Sequence, residues 1–156
     1  MKKIVVLLLI AFSSFSLHAQ ESAEWHTDFK KAMAISNKTH KPLFMFFTGS
    51  DWCGWCMKLQ KEVFKTAEFE KWAKDNVVLL ELDFPRKTPQ SEEIKQQNAG
   101  LNSFFQVRGY PTVWVADVDK TAEGKIQFKA RGSSGYVAGG PLVWLEGANK
   151  ILSNNK

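Results

Sequence analysis

Cysteine is nearly absent from this chain of 156 residues, which has two, Cys53 and Cys56. A pair so close in sequence closes almost no loop, so it cannot be the framework of the domain, and stability must come from an apolar core. Histidine is scarce as well. Beyond the N-terminal segment only His26 and His40 remain, neither at ligand spacing, so a zinc site on the two thiols would lack its other two ligands. No apolar run approaches the roughly 20 residues of a membrane-spanning helix. Ile4 to Phe12 falls well short, and no cysteine follows it that could carry a lipid. The glycine turns Gly132-Ser133-Ser134-Gly135 and Gly139-Gly140 lack the lysine and the strand–loop–helix setting of a phosphate loop. Repeats, low-complexity blocks and interdomain linkers are absent, and so is any block of like charge. Lys58 and Lys61 stand beside Glu62, and Lys71 and Lys74 beside Glu70 and Asp75, the pattern of solvated helix faces rather than a nucleic-acid patch.

What is present begins with a leader. Met1-Lys2-Lys3 is a short positive start, the apolar stretch follows, and Ser13, Ser14 and Ser16 lead into Leu17-His18-Ala19. Residues 1–19 are expected to be a cleaved export signal, with residues 20–156 as one mature domain. Removing Lys2 and Lys3 lowers the formal net charge from +5 to +3. Export places the domain in the periplasm, or outside the cell, where a cysteine pair persists oxidised unless something reduces it. Asn37-Lys38-Thr39 matches a glycosylation acceptor but reads as a helix end.

Hydrophobic periodicity predicts a helix over 24–37, a buried strand at Leu43–Phe47 and a turn at 48–51. Helical period returns from Cys53 to Lys74, with Thr66 capping a second segment. A second buried strand, Val77–Asp83, is interrupted by Glu81. A polar segment, Pro85 to Gly100, includes the start of a helix near Ser91 and is a candidate for shaping partner choice. Leu101, Phe104, Phe105 and Val107 are core candidates. Strands follow at Pro111–Ala116 and Lys125–Ala130 with a turn from Asp117 to Gly124, and a last helix covers Pro141–Leu152. The order implies an α/β sandwich with a mixed sheet and helices on both faces.

Trp52-Cys53-Gly54-Trp55-Cys56 carries the chemistry. Two thiols at this spacing can open and close a disulfide with little backbone movement. A helix starting there favours the thiolate at the leading sulfur, and the thiolate is the species that attacks disulfides. Trp25, Trp72, Trp114 and Trp144 fall on core stripes. Trp52 and Trp55 instead flank the thiols and can form an apolar landing surface.

Together with the upstream buried strand and Gly109-Tyr110-Pro111-Thr112, this motif resembles the thioredoxin superfamily, over roughly Trp25 to Leu152. The resemblance implies a thioredoxin-like three-layer sandwich and a thiol–disulfide oxidoreductase needing no cofactor beyond its dithiol. It implies Cys53 as nucleophile, Cys56 as resolving thiol and a cis Pro111 that brings Tyr110 beside the cysteines. Trp52, Gly54, Trp55, Tyr110 and Pro111 would contact substrate. Disulfide-bearing proteins are the implied substrates, a membrane or periplasmic protein the implied electron donor, and the chain is expected to be a monomer. Two departures stand out. Many thioredoxins place a buried aspartate six residues before the first cysteine, where this chain has Phe47, so Glu81 becomes the candidate proton acceptor. Trp55 adds no positive charge between the cysteines, which points to a reductase or electron carrier. An oxidase or isomerase, or a non-catalytic binding module, are the alternatives.

Overall fold

The computed structural model describes residues 23–154. The expected leader, residues 1–19, lies outside them. A two-residue strand β1 (Trp25–His26) leads into α1 (Phe29–Thr39), whose start is set by Asp28. The Asp28 carboxylate accepts the N–H groups of Lys30 and Lys31 at 2.7 and 3.1 Å, satisfying donors that the first turn cannot pair internally. His40 ends the helix in the left-handed conformation, and Pro42 prevents its continuation. Strand β2 (Leu43–Thr48) is buried along its whole length.

Helix α2 (Gly54–Leu59) widens into a π-type turn over Gln60–Phe64. Thr66 then caps α3 (Ala67–Asn76), its hydroxyl accepting the Phe69 N–H. Strand β3 (Val78–Asp83) precedes α4 (Glu92–Phe104), which Ser91 caps. Strands β4 (Thr112–Lys120) and β5 (Ile126–Ser134) form a hairpin, and α5 (Gly140–Ser153) closes the chain.

The sheet order is β1-β3-β2-β4-β5. β3 runs parallel to both β1 and β2, whereas β4 is antiparallel to β2 and β5. Side chains alternate across the strands and feed two cores. On one face Phe29, Ala32, Met33 and Leu101 from α1 and α4, with Phe105 just after α4, cover Met45, Phe47 and Leu80. On the other, Phe44 and Phe46 meet Cys56, Leu59, Phe69 and Trp144 from α2, α3 and α5, and Phe64 from the π-type turn. Phe64 lies 4.6 Å from Phe69 and 5.0 Å from Phe46, so fully or nearly buried rings floor the cysteine helix. Each such ring contributes about 1.5–3 kcal/mol by burial. This is the three-layer α/β sandwich expected of the chain.

Four local expectations need correction. Trp25 belongs to a strand, and α1 starts only after Asp28. The stretch assigned to a turn at 117–124 continues β4 to Lys120, because cross-strand pairing overrides its polar composition. Gly132 to Ser134 likewise belongs to β5, where the register shifts opposite Val115 and Ala116. Phe104 is 60% exposed rather than core.

Candidate active site

The end of β2 and the start of α2 hold the thiols. Gly49 carbonyl oxygen accepts the N–H of Trp52 (3.2 Å) and of Cys53 (2.8 Å), folding the chain back on itself before the helix. Cys53 caps α2, and its sulfur accepts the Cys56 N–H at 3.2 Å. Cys53 and Cys56 are joined as a disulfide with Cα atoms 5.3 Å apart. Their burial is unequal. Cys53 is 6% exposed and Cys56 is wholly covered. Gly54 is exposed, and a side chain there would meet nothing within 4 Å.

Trp52 is clamped. Its Nε1 donates to the Phe84 carbonyl at 2.8 Å, the Arg86 guanidinium lies 3.9 Å from its ring centre, and Tyr110 meets it edge-on at 5.8 Å. Asp51 fixes the loop that carries Arg86. Its carboxylate accepts the N–H groups of Arg86, Lys87 and Thr88 at 2.9, 2.7 and 2.9 Å. These hydrogen bonds, that from Arg86 foremost, hold the Asp51 carboxyl down to about 2. Ser50 adds a second tie, donating from N and Oγ to the Asp83 carboxylate.

The Tyr110–Pro111 peptide bond is cis. Tyr110 stacks on Phe84 at 5.2 Å and donates its hydroxyl to Asn102 Oδ1 at 3.2 Å. Burial pushes its phenol up, so it stays a donor. Gly135 approaches this turn so closely that a Cβ would sit 3.3 Å from the Pro111 carbonyl oxygen. The next residue, Tyr136, lies 5.2 Å from the Trp55 ring, and Trp55 itself is 58% exposed.

Phe47, six residues before Cys53, points into the core on the far face of the sheet. Its neighbour Phe46 occupies the cysteine face and pairs in register with Glu81. Glu81 therefore shares the face of the cysteines, as Leu79 does two residues earlier. It lines a pocket with Trp25, Phe46, Gln60 and Phe64. Burial, then the nearby Asp83 carboxylate, raises its carboxyl above the ordinary 4.5. Among the described residues no hydrogen bond joins it to either cysteine. Those residues also contain no cluster of three His, Cys, Asp or Glu side chains able to hold a metal ion.

Sequence reasoning missed Asp51, Arg86, Lys58 and Tyr136. Nothing in the local sequence signals them, because each acts on a residue brought near only by the fold.

A model of the thioredoxin-like domain matches residues 29–133. The disulfide bond reductase DsbH of Chlamydia pneumoniae is 34% identical over 120 residues, covering 77% of this chain and 72% of that protein. The thioredoxin-related protein DsbJ of the same organism is 37% identical over 114 residues, or 70% of this chain, which spans only 33% of DsbJ. A solved structure titled DsbH oxidoreductase superposes with a TM-score of 0.74 at 33% identity, covering 85% of each chain. By the span of the domain match and the identity to these relatives, the chain belongs to the thioredoxin-like family.

Proposed function

We propose that this thiol–disulfide oxidoreductase runs as a reductase or electron carrier for protein disulfides, with Cys53 and Cys56 as its redox couple. The observation that carries the reading is the disulfide at the head of α2, between a slightly exposed Cys53 and a fully buried Cys56. The reduced Cys53 thiolate attacks one sulfur of a substrate disulfide. That bond breaks, a mixed disulfide forms, and the other substrate sulfur leaves as a thiolate. Cys56, once deprotonated, attacks Cys53 and expels the second substrate thiolate. The dithiol has then lost two electrons to the substrate, and the Cys53–Cys56 bridge described above is the product state.

Glu81 is the group we assign to take the Cys56 proton, through water in its pocket, since it makes no direct contact. Trp52, Gly54, Trp55, Tyr110 and Pro111 form the surface offered to substrate. The reducing direction is supported by the relative named as a disulfide bond reductase. Resetting the couple calls for a protein electron donor at the membrane or in the periplasm. Residues 1–19 act as the export signal in this reading, and the mature chain works as a monomer.

Two measurements test it. Equilibration with glutathione or dithiothreitol should give a reduction potential nearer the roughly −270 mV of a reducing thioredoxin than the roughly −120 mV of a strong oxidant. A value at the oxidising end overturns the direction. Insulin reduction should vanish in Cys53→Ser, while Cys56→Ser should accumulate mixed disulfides. Turnover indifferent to Cys53 would leave only a binding module.

A further inference from the structure

The aromatic neighbours of the nucleophile each hold a cation. Trp52, bonded to Cys53, carries the Arg86 guanidinium on its face. Trp55, between the cysteines, carries Lys58 Nζ 5.0 Å from its ring centre, and the same ammonium lies 5.1 Å from the Tyr136 ring. Such stacking leaves the N–H donors at the guanidinium edge free to meet an incoming acceptor.

Lys58 already has a carboxylate, Glu62, as its ion-pair partner, whereas those near Arg86 are engaged elsewhere. Asp51 spends its oxygens on the backbone of residues 86–88, and Asp83 accepts from Ser50. Glu62 takes the Tyr136 hydroxyl at 2.6 Å and lies 3.9 Å from Lys58. Among the described residues the exposed Arg86 side chain has no ion pair and no hydrogen bond. Its backbone is pinned by Asp51, so the guanidinium is presented on a fixed loop beside the motif. A carboxylate is the partner this fork lacks, and a two-pronged one fits it best.

We propose that the rim around Cys53 selects disulfides in polypeptide segments whose neighbouring residues are acidic, with Arg86 as the principal specificity residue and Lys58 on the opposite flank. The proposal rests on the oxidoreductase reading and names the substrate class of that same site. The chemistry of the exchange is unchanged. The carboxylate raises the encounter rate and holds the segment while Cys53 attacks.

The test uses three synthetic disulfide peptides that differ only in the residues flanking the cysteine: glutamate, glutamine or lysine. Their reduction by the reduced protein is followed by tryptophan fluorescence in a stopped-flow instrument. At low ionic strength the glutamate peptide should react about fivefold faster than the lysine peptide, with glutamine between. In about 0.5 M salt the gap should shrink, because exposed charges are screened within a few ångströms. Arg86→Gln should bring the glutamate-to-lysine ratio towards one, and Arg86→Lys should keep part of it. Each ratio is internal to one variant, so a general loss of activity does not move it. Equal rates for the three peptides with the native protein, or a ratio untouched by Arg86→Gln, overturn the charge selection and leave the oxidoreductase reading standing. Absence of Cys53-dependent reduction of all three overturns both.

Discussion

Gly49→Ala sets one methyl group against the indole of Trp52, the residue before Cys53. A Cβ on Gly49 would approach Trp52 Cζ2 to 2.7 Å and overlap Cε2 and Nε1, far inside a normal carbon contact of about 3.5–4.0 Å. The backbone of Gly49 cannot retreat freely, because its carbonyl holds two N–H groups of the active-site turn. The indole must move instead, and it can do so only by losing its hydrogen bond to Phe84 and its contact with Arg86. The first is worth about 1 kcal/mol and the second about 0.5–1 kcal/mol at an exposed site. Stiffening of the unfolded chain by alanine returns about 0.4–1 kcal/mol, since Gly49 is not among the positive-φ glycines. The expected net loss is about 0.5–1.6 kcal/mol, at the lower end of the range of overpacked sites. In a Trp52→Ala background the obstruction is gone, and the same substitution should become neutral or stabilising. Urea unfolding of the four proteins gives the coupling directly as shifts in midpoint. An equal effect of Gly49→Ala in both backgrounds would refute the claim that Trp52 is what forbids a side chain at Gly49.

Glu81 should leave a mark on stability against pH. Its carboxyl is raised by burial and by Asp83, so the folded chain keeps a proton that the unfolded chain has released above 4.5. Stability is therefore highest below that value and falls as pH rises through the raised one. Glu81→Gln should flatten this decline in urea titrations, and parallel profiles would remove the raised carboxyl from the account. Thr48 Oγ1 is buried with no partner among the described residues. Thr48→Val should raise stability by about 1 kcal/mol, because an unpaired hydroxyl is replaced by a methyl of the same shape. A loss of similar size in thermal unfolding would mean that the hydroxyl is bonded in solution.

Much of this architecture was legible because it is written in local pattern. Leu43–Phe47 and the Val77–Asp83 run read as strands, since a sheet covered on both faces needs apolar residues at consecutive positions. The cysteine motif and Tyr110-Pro111 were equally visible. What could not be read depends on pairing and register. β1 is two residues long and exists only through β3. Counting six residues back from Cys53 lands on Phe47, but strand alternation turns that side chain away and sets Phe46 and Glu81 on the cysteine side. Trp55 brings no positive charge between the thiols, but the fold sets Lys58 over Trp55 and Arg86 over Trp52.

The brevity of β1 reaches further than the sheet edge. It accompanies β3 only through Leu80, so at Glu81 the flank turned away from β2 has no neighbouring strand. Gln60, Lys65 and Glu70 border the same opening, on the helical side rather than at the Trp52 and Tyr110 rim. In the proposed cycle a docked protein would seal the front of the molecule while this side door stayed wet. Hydrogen ions could then come and go during the covalent complex, so Cys56 could lose its proton and expel the guest while the front stayed covered.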